Sequence, residues 1–238
     1  MKRLIILFIL VGFYVPAHAY VTVKLQATVM DSDQKGHFIV KTAVKDGITY
    51  CSETFYLAVN RDKKGHHRFH VSSNRMYGEF GRGGRLIKYK RWLPGAGGSI
   101  MYMVFRYGSR IKRRVEEVMG GSAKVNTVTK GRTIHVVDPA GPVWMIILLR
   151  NRGLKSFKCI NPVSGKVGTE VITKQNAEVI LPQRGQVKVN IVHFGGACGE
   201  ADAFLNKRGR LIGGKIGKYT LESAIPKVRR KRHNKVRR

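Results

Sequence analysis

Arg82, Arg85, Lys88, Lys90 and Arg91 crowd one short stretch of the chain, with Phe80, Tyr89 and Trp92 set among them. Cationic side chains meet phosphates, sulfates or carboxylates, and aromatic rings beside them stack on bases or sugars. This spacing therefore describes a polyanion-binding surface. Arg106, Arg110, Lys112, Arg113 and Arg114 follow and extend the stripe. A solvated strand face with its aromatics in the core has the same composition, so the placement of each side chain decides between the two.

Two other groupings could do chemistry. His193 lies five residues before Cys198, among Gly195, Gly196 and Gly199, with Glu200 and Asp202 close behind. A cysteine activated by a histidine, itself oriented by a carboxylate, is the arrangement of a thiol hydrolase. In an exported chain, a cysteine flanked by glycines is more often half of a disulfide at a turn. His66, His67 and His70 gather beside Asp62 and are ligand types for zinc, copper or nickel. Arg61, Lys63, Lys64 and Arg68 surround them, so an incoming cation would meet a positive field. No metal and no cofactor are expected. The sequence has no Gly-x-Ser-x-Gly elbow, no His-Glu-x-x-His and no phosphate loop. Its close acidic pairs, Asp31 with Asp33 and Glu116 with Glu117, fit no glycosidase pattern. The expectation is a binding protein and not an enzyme.

The first residues address the chain for export. Lys2 and Arg3 precede an uncharged apolar run over 4–15, Pro16 breaks any helix, and Ala17-His18-Ala19 has the small-x-small form of a cleavage site. Twelve apolar residues fall short of the roughly 20 that span a bilayer. Residues 1–19 are read as a signal peptide, and the mature chain as periplasmic or secreted.

With Lys2 and Arg3 removed, 43 basic and 14 acidic side chains leave a formal charge of +29. Eight of the twelve residues in 227–238 are basic, so 20–226 still carries +21 and the excess is not confined to the tail. Such a field draws lipopolysaccharide, acidic glycans, nucleic acid or anionic lipid surfaces. A uniformly basic proteome produces the same excess without a specific partner. The tail itself, with no apolar periodicity, is expected to be disordered. It also supports a second reading: a secreted, host-directed protein that uses it for nuclear import or nucleic-acid binding.

Strand signals dominate what lies between. Val21, Val23, Leu25, Ala27 and Val29 alternate with polar residues, the period of a strand with one buried face. Asp46-Gly47, Gly108-Ser109 and Asn206-Lys207-Arg208-Gly209 are turn signals between further β-prone pieces. Residues 110–119 fit either a helix or a strand; four basic residues in a helical first turn would oppose the helix dipole, which favours a strand. Residues 143–149 are apolar throughout and read as a strand covered on both faces. The sum is an all-β protein of two immunoglobulin-like β-sandwich domains, 20–120 and 121–226, divided at Gly120-Gly121. Cys159 and Cys198, in the same half, are expected to form a disulfide, with Cys51 left as a free thiol or an intermolecular link.

Amino-terminal sequencing of the exported protein should begin at Tyr20. A chain starting at Met1 and recovered from the cytoplasm would overturn it.

Overall fold

Alternation of apolar and polar residues yields long antiparallel strands wherever tight turns return the chain. In the computed structural model, which describes residues 21–30, 32, 34–61, 67–95, 98–117, 123–130, 133–151 and 153–223, these strands follow one another almost without interruption. The first series is β1 (Val21–Val29), β2 (Lys35–Lys45), β3 (Ile48–Arg61), β4 (His67–Phe80), β5 (Leu86–Gly95), β6 (Gly98–Tyr107), β7 (Arg110–Glu117) and β8 (Ala123–Lys130). The second is β9 (His135–Val136), β10 (Ser156–Ile160), β11 (Val167–Leu181), β12 (Gly185–Gly196), β13 (Ala201–Leu205), β14 (Leu211–Ile216) and β15 (Tyr219–Ser223). One helix, α1 (Val143–Leu149), lies between β9 and β10.

The all-β class is as expected, but the strands join a single sheet of fifteen, in the order β8 to β1, then β15 down to β9. The sheet continues across the expected boundary at residue 120 in two places. β7 pairs with β8, and β1 pairs with β15, placing Leu25 opposite Ser223 and Val29 opposite Tyr219. All pairs are antiparallel except β9 with β10. The sheet also turns back on itself: the Leu86 N–H at the start of β5 donates to the Ile134 carbonyl beside β9. Arg113 of β7 donates from Nε to the Pro162 carbonyl at 2.8 Å and from Nη2 to the Val163 carbonyl. The main hydrophobic core accordingly draws on both halves, with Leu25, Phe38 and Phe80 meeting Trp144, Ile160 and Phe194. A smaller cluster of Leu181, Val189, Ile191 and Phe204 stands apart from it.

The stretch at 143–149 is the clearest local correction. It forms α1, and Val143 to Leu148 are all buried. A helix enclosed on every side has no polar face, so its sequence lacks the 3.6-residue period and looks like a buried strand. Three other local readings hold. β1 spans the alternating run, with Leu25, Ala27 and Val29 buried. The turn at Asp46-Gly47 has positive φ at both residues, 50° and 73°, as a two-residue hairpin of this kind requires. The ambiguous 110–119 stretch is strand over Arg110–Glu117. The signal peptide at 1–19, Gly120-Gly121 and the tail at 227–238 lie outside the described residues.

Cys159 and Cys198 are bridged, closing a sequence separation of 39 residues. Cys51 is a buried free thiol, which burial pushes up to about 12 against the pull of Arg150. Non-reducing peptide mapping should recover the 159–198 bridge, and replacing both cysteines by serine should lower stability by about 3–4 kcal/mol in urea titration. Recovery of Cys51 in a bridge with either partner would contradict this pairing.

Candidate functional site

β5 separates the basic stripe into two populations. Side chains alternate across a strand, and directly opposed residues on neighbouring strands share a face. Tyr89 and Arg91 point inward and are fully buried. Lys88, Lys90 and Trp92 point outward and are half-buried.

On the outer face, the register extends the stripe across four strands. Lys90 lies between Tyr77 of β4 and Met103 of β6, and Met103 is opposite Arg114 of β7. In the next rows, Lys88 is beside Phe105 and Phe105 beside Lys112, while Trp92 is flanked by Arg75 and Met101. The Lys112 ammonium sits 4.5 Å from the centre of the Tyr107 ring, itself 67% exposed. Two carboxylates share this face. Glu116 binds Arg114 at 2.8 Å, and Glu79 accepts from the Tyr77 hydroxyl at 3.0 Å. Burial, reinforced by Glu79, pushes the Tyr77 phenol up to about 12, so it remains a donor. Arg82 and Arg85 are exposed at the turn leading into β5. Arg106 Nε donates to the Leu86 carbonyl at 3.3 Å, and burial and then the Arg85 cation lower its pKa.

Arg91 is the exception among the five stripe residues. It belongs to no surface, because the alternation that turns Lys90 out turns it in. Its Nη1 donates to Glu53 Oε1 at 2.6 Å and to Asn74 Oδ1 at 2.7 Å; its Nε donates to Asp138 Oδ2 at 2.7 Å. Nη2 is 3.0 Å from the Tyr89 hydroxyl, which donates in turn to Asp138 Oδ2. The carboxylates are held from the other side. Glu53 Oε2 accepts the Val143 N–H at the start of α1, and Asp138 Oδ1 accepts the Ala140 N–H, both at 2.9 Å. Burial works against the charge on Arg91, but Asp138 and Glu53 outweigh it and hold the guanidinium pKa well above its ordinary value. Burial raises the Glu53 pKa despite Arg91, and holds the Tyr89 phenol well above its usual range. Gly141 is obligatory here, since a Cβ at that position would lie 1.8 Å from Glu53 Oε1.

No protein-family model, curated protein or solved structure matches the chain. Functional reading therefore rests on geometry.

The histidine–cysteine grouping is half assembled. Asp202 Oδ1 lies 2.8 Å from His193 Nδ1 across the β12–β13 pair, the orienting contact a catalytic histidine needs. Cys198 is tied to Cys159, however, so the sulfur is not a nucleophile in this state. Its N–H donates to Glu170 Oε1 at 2.6 Å, and burial raises the pKa of that enclosed carboxyl. Cys159, Glu170 and Cys198 cluster as metal ligands would, but sulfurs bonded to each other supply no thiolate. Asp62 and His66 of the other histidine group, and the side chains of His67 and His70, lie outside the described residues.

Replacing Arg91 by Met should cost about 3–5 kcal/mol, because two buried carboxylates lose their counter-charge. Lys90→Gln, one residue away, should stay within about 0.5 kcal/mol. Urea titration of the pair checks the assignment, and equal effects would refute it.

Proposed function

We propose that this is an exported, non-catalytic binding protein whose outer face over β4 to β7 contacts anionic polymers or anionic membrane surfaces. The observation that carries the reading is the cross-strand register. It sets Lys88, Lys90, Lys112, Arg114 and Arg75 on one face, interleaved with Tyr77, Trp92, Phe105 and two methionines. Cations spaced among flat or polarizable side chains bind backbone charge and stack on what lies between charges. Arg82 and Arg85 add exposed charge at the edge of the same region, whereas Arg91 contributes rigidity from beneath.

Lipopolysaccharide, acidic glycans, nucleic acid and anionic lipid share the chemistry this face recognises. Export is supported by the signal-peptide pattern and by a disulfide compatible with an oxidising compartment. Among the described residues, no helix is long and apolar enough to cross a membrane. A binding role in place of hydrolysis is supported by the bridging of Cys198, which leaves the His193–Asp202 pair without a nucleophile.

Single-stranded oligonucleotide serves as a generic polyanion for the test. Changing Arg82, Arg85, Lys88 and Lys90 together to Gln should weaken binding and flatten its salt dependence by about 0.7 per lost phosphate contact on the log–log plot. Deleting 227–238 is the control for a basic tail acting alone. If the tail deletion abolishes binding while the fourfold variant leaves affinity and slope unchanged, the outer face is only solvated charge.

A further inference from the structure

Between the end of α1, which packs against the Arg82–Gly84 turn, and strands β11 to β13, a groove of about 640 Å³ opens. Its size falls within the range of small-molecule sites. Register explains its floor. Ile172 is opposite Phe194, Lys174 opposite Val192, and Asn190 opposite Leu205, so these side chains share one face. Leu148 and Leu149 from α1 and Leu154 beyond it form the facing wall. Phe194 is anchored from behind by an edge-to-face contact with Trp144, at 5.3 Å between ring centres.

The charges around this apolar floor have one sign. Lys174, Lys207 and Arg208 line the groove and are exposed, and no carboxylate lines it. None of the three forms an ion pair among the described residues. The two acidic side chains of β11 each stand four residues from Lys174: Glu170 is buried and accepts the Cys198 N–H at 2.6 Å, and Glu178 is engaged with Lys188 at 3.4 Å and with Gln186 at 2.6 Å. Lys207 and Arg208 are placed by their turn, in which Asn206 Oδ1 accepts the N–H groups of Arg208 and Arg210 at 2.9 and 3.0 Å. An apolar trough rimmed by three cations complements a molecule with a hydrocarbon body and an anionic head.

We propose that this groove binds a single-chain anionic amphiphile, with its chain along Leu149, Leu154, Ile172 and Leu205 and its phosphate or carboxylate at Lys174, Lys207 and Arg208. The site does not depend on the outer basic face: it lies on other strands and requires burial of a hydrocarbon chain, which a polyanion surface does not.

Titration with alkyl phosphates below their micelle concentrations tests it, followed by calorimetry in the full-length mature protein. Dodecyl phosphate should bind saturably at one site. Shortening the chain to decyl and octyl should weaken binding about fourfold per methylene removed. Changing Lys174, Lys207 and Arg208 together to Gln, all at exposed positions, should weaken dodecyl phosphate at least tenfold and leave dodecanol nearly unchanged. Dodecanoate against dodecyl phosphate separates a free fatty acid from a phosphorylated lipid as the preferred source. In a Trp92→Phe background, Trp144 is the remaining tryptophan, and a chain brominated near its end should quench it. The proposal falls if no saturable binding occurs, if affinity ignores chain length, or if the triple substitution has no effect. It falls equally if a Lys88 and Lys90 double variant, and not the triple variant, removes the binding.

Discussion

A guanidinium with no access to water must be neutralised where it stands, and Arg91 meets that demand with residues from distant parts of the chain. Glu53 comes from β3, Asn74 from β4 and Asp138 from the segment after β9. Asp138 and Glu53 then fix the start of α1 through backbone N–H groups at Ala140 and Val143. The Trp144 indole closes the arrangement by donating to the Asp138 carbonyl at 2.8 Å. The helix is thus held in the core by charge and hydrogen bonding as well as by apolar contact. Geometry of this kind specifies one docking position where hydrophobic burial alone would tolerate several. Its cost is that no member can be lost without stranding the others.

Fixing α1 in place divides the interior of the sheet and sets what each surface can offer. The start of the helix is tied to Glu53 of β3, which also holds Arg91 of β5, while Lys88, Lys90 and Trp92 of that strand face outward. The last turn of the same helix forms one wall of the groove over β11 to β13. Both candidate surfaces therefore depend on a network that touches neither ligand.

The sequence disclosed what depends on neighbours along the chain. The alternation in β1, the Asp46-Gly47 hairpin and the 159–198 bridge were all visible as local pattern or simple pairing. Arg91 shows where that ends. Nothing local distinguishes it from Lys90 except parity along the strand, and counting inward from Tyr89 would have placed it inside. Its acidic partners are 38 and 47 residues away, beyond any motif. The helix at Val143–Leu149 escaped for a related reason, since enclosure on all sides erases the period by which helices are recognised. The division into two sandwiches rested on a Gly-Gly break, and a break in a chain does not record which edges pair afterwards.

Where β1 meets β15, the two ends of the described chain become neighbours in the interior of the sheet, Leu25 against Ser223. The strand order ends instead on β8 and β9, which come from the middle of the sequence. Contacts between such distant residues must await the synthesis of β15, and they carry a large entropic penalty of closure. Until β15 arrives, β1 exposes an open ladder of donors and acceptors beside a fully formed β2. A nascent chain therefore carries an open β1 edge until β15 is made, and a truncation that removes β15 converts a central strand into an exposed one.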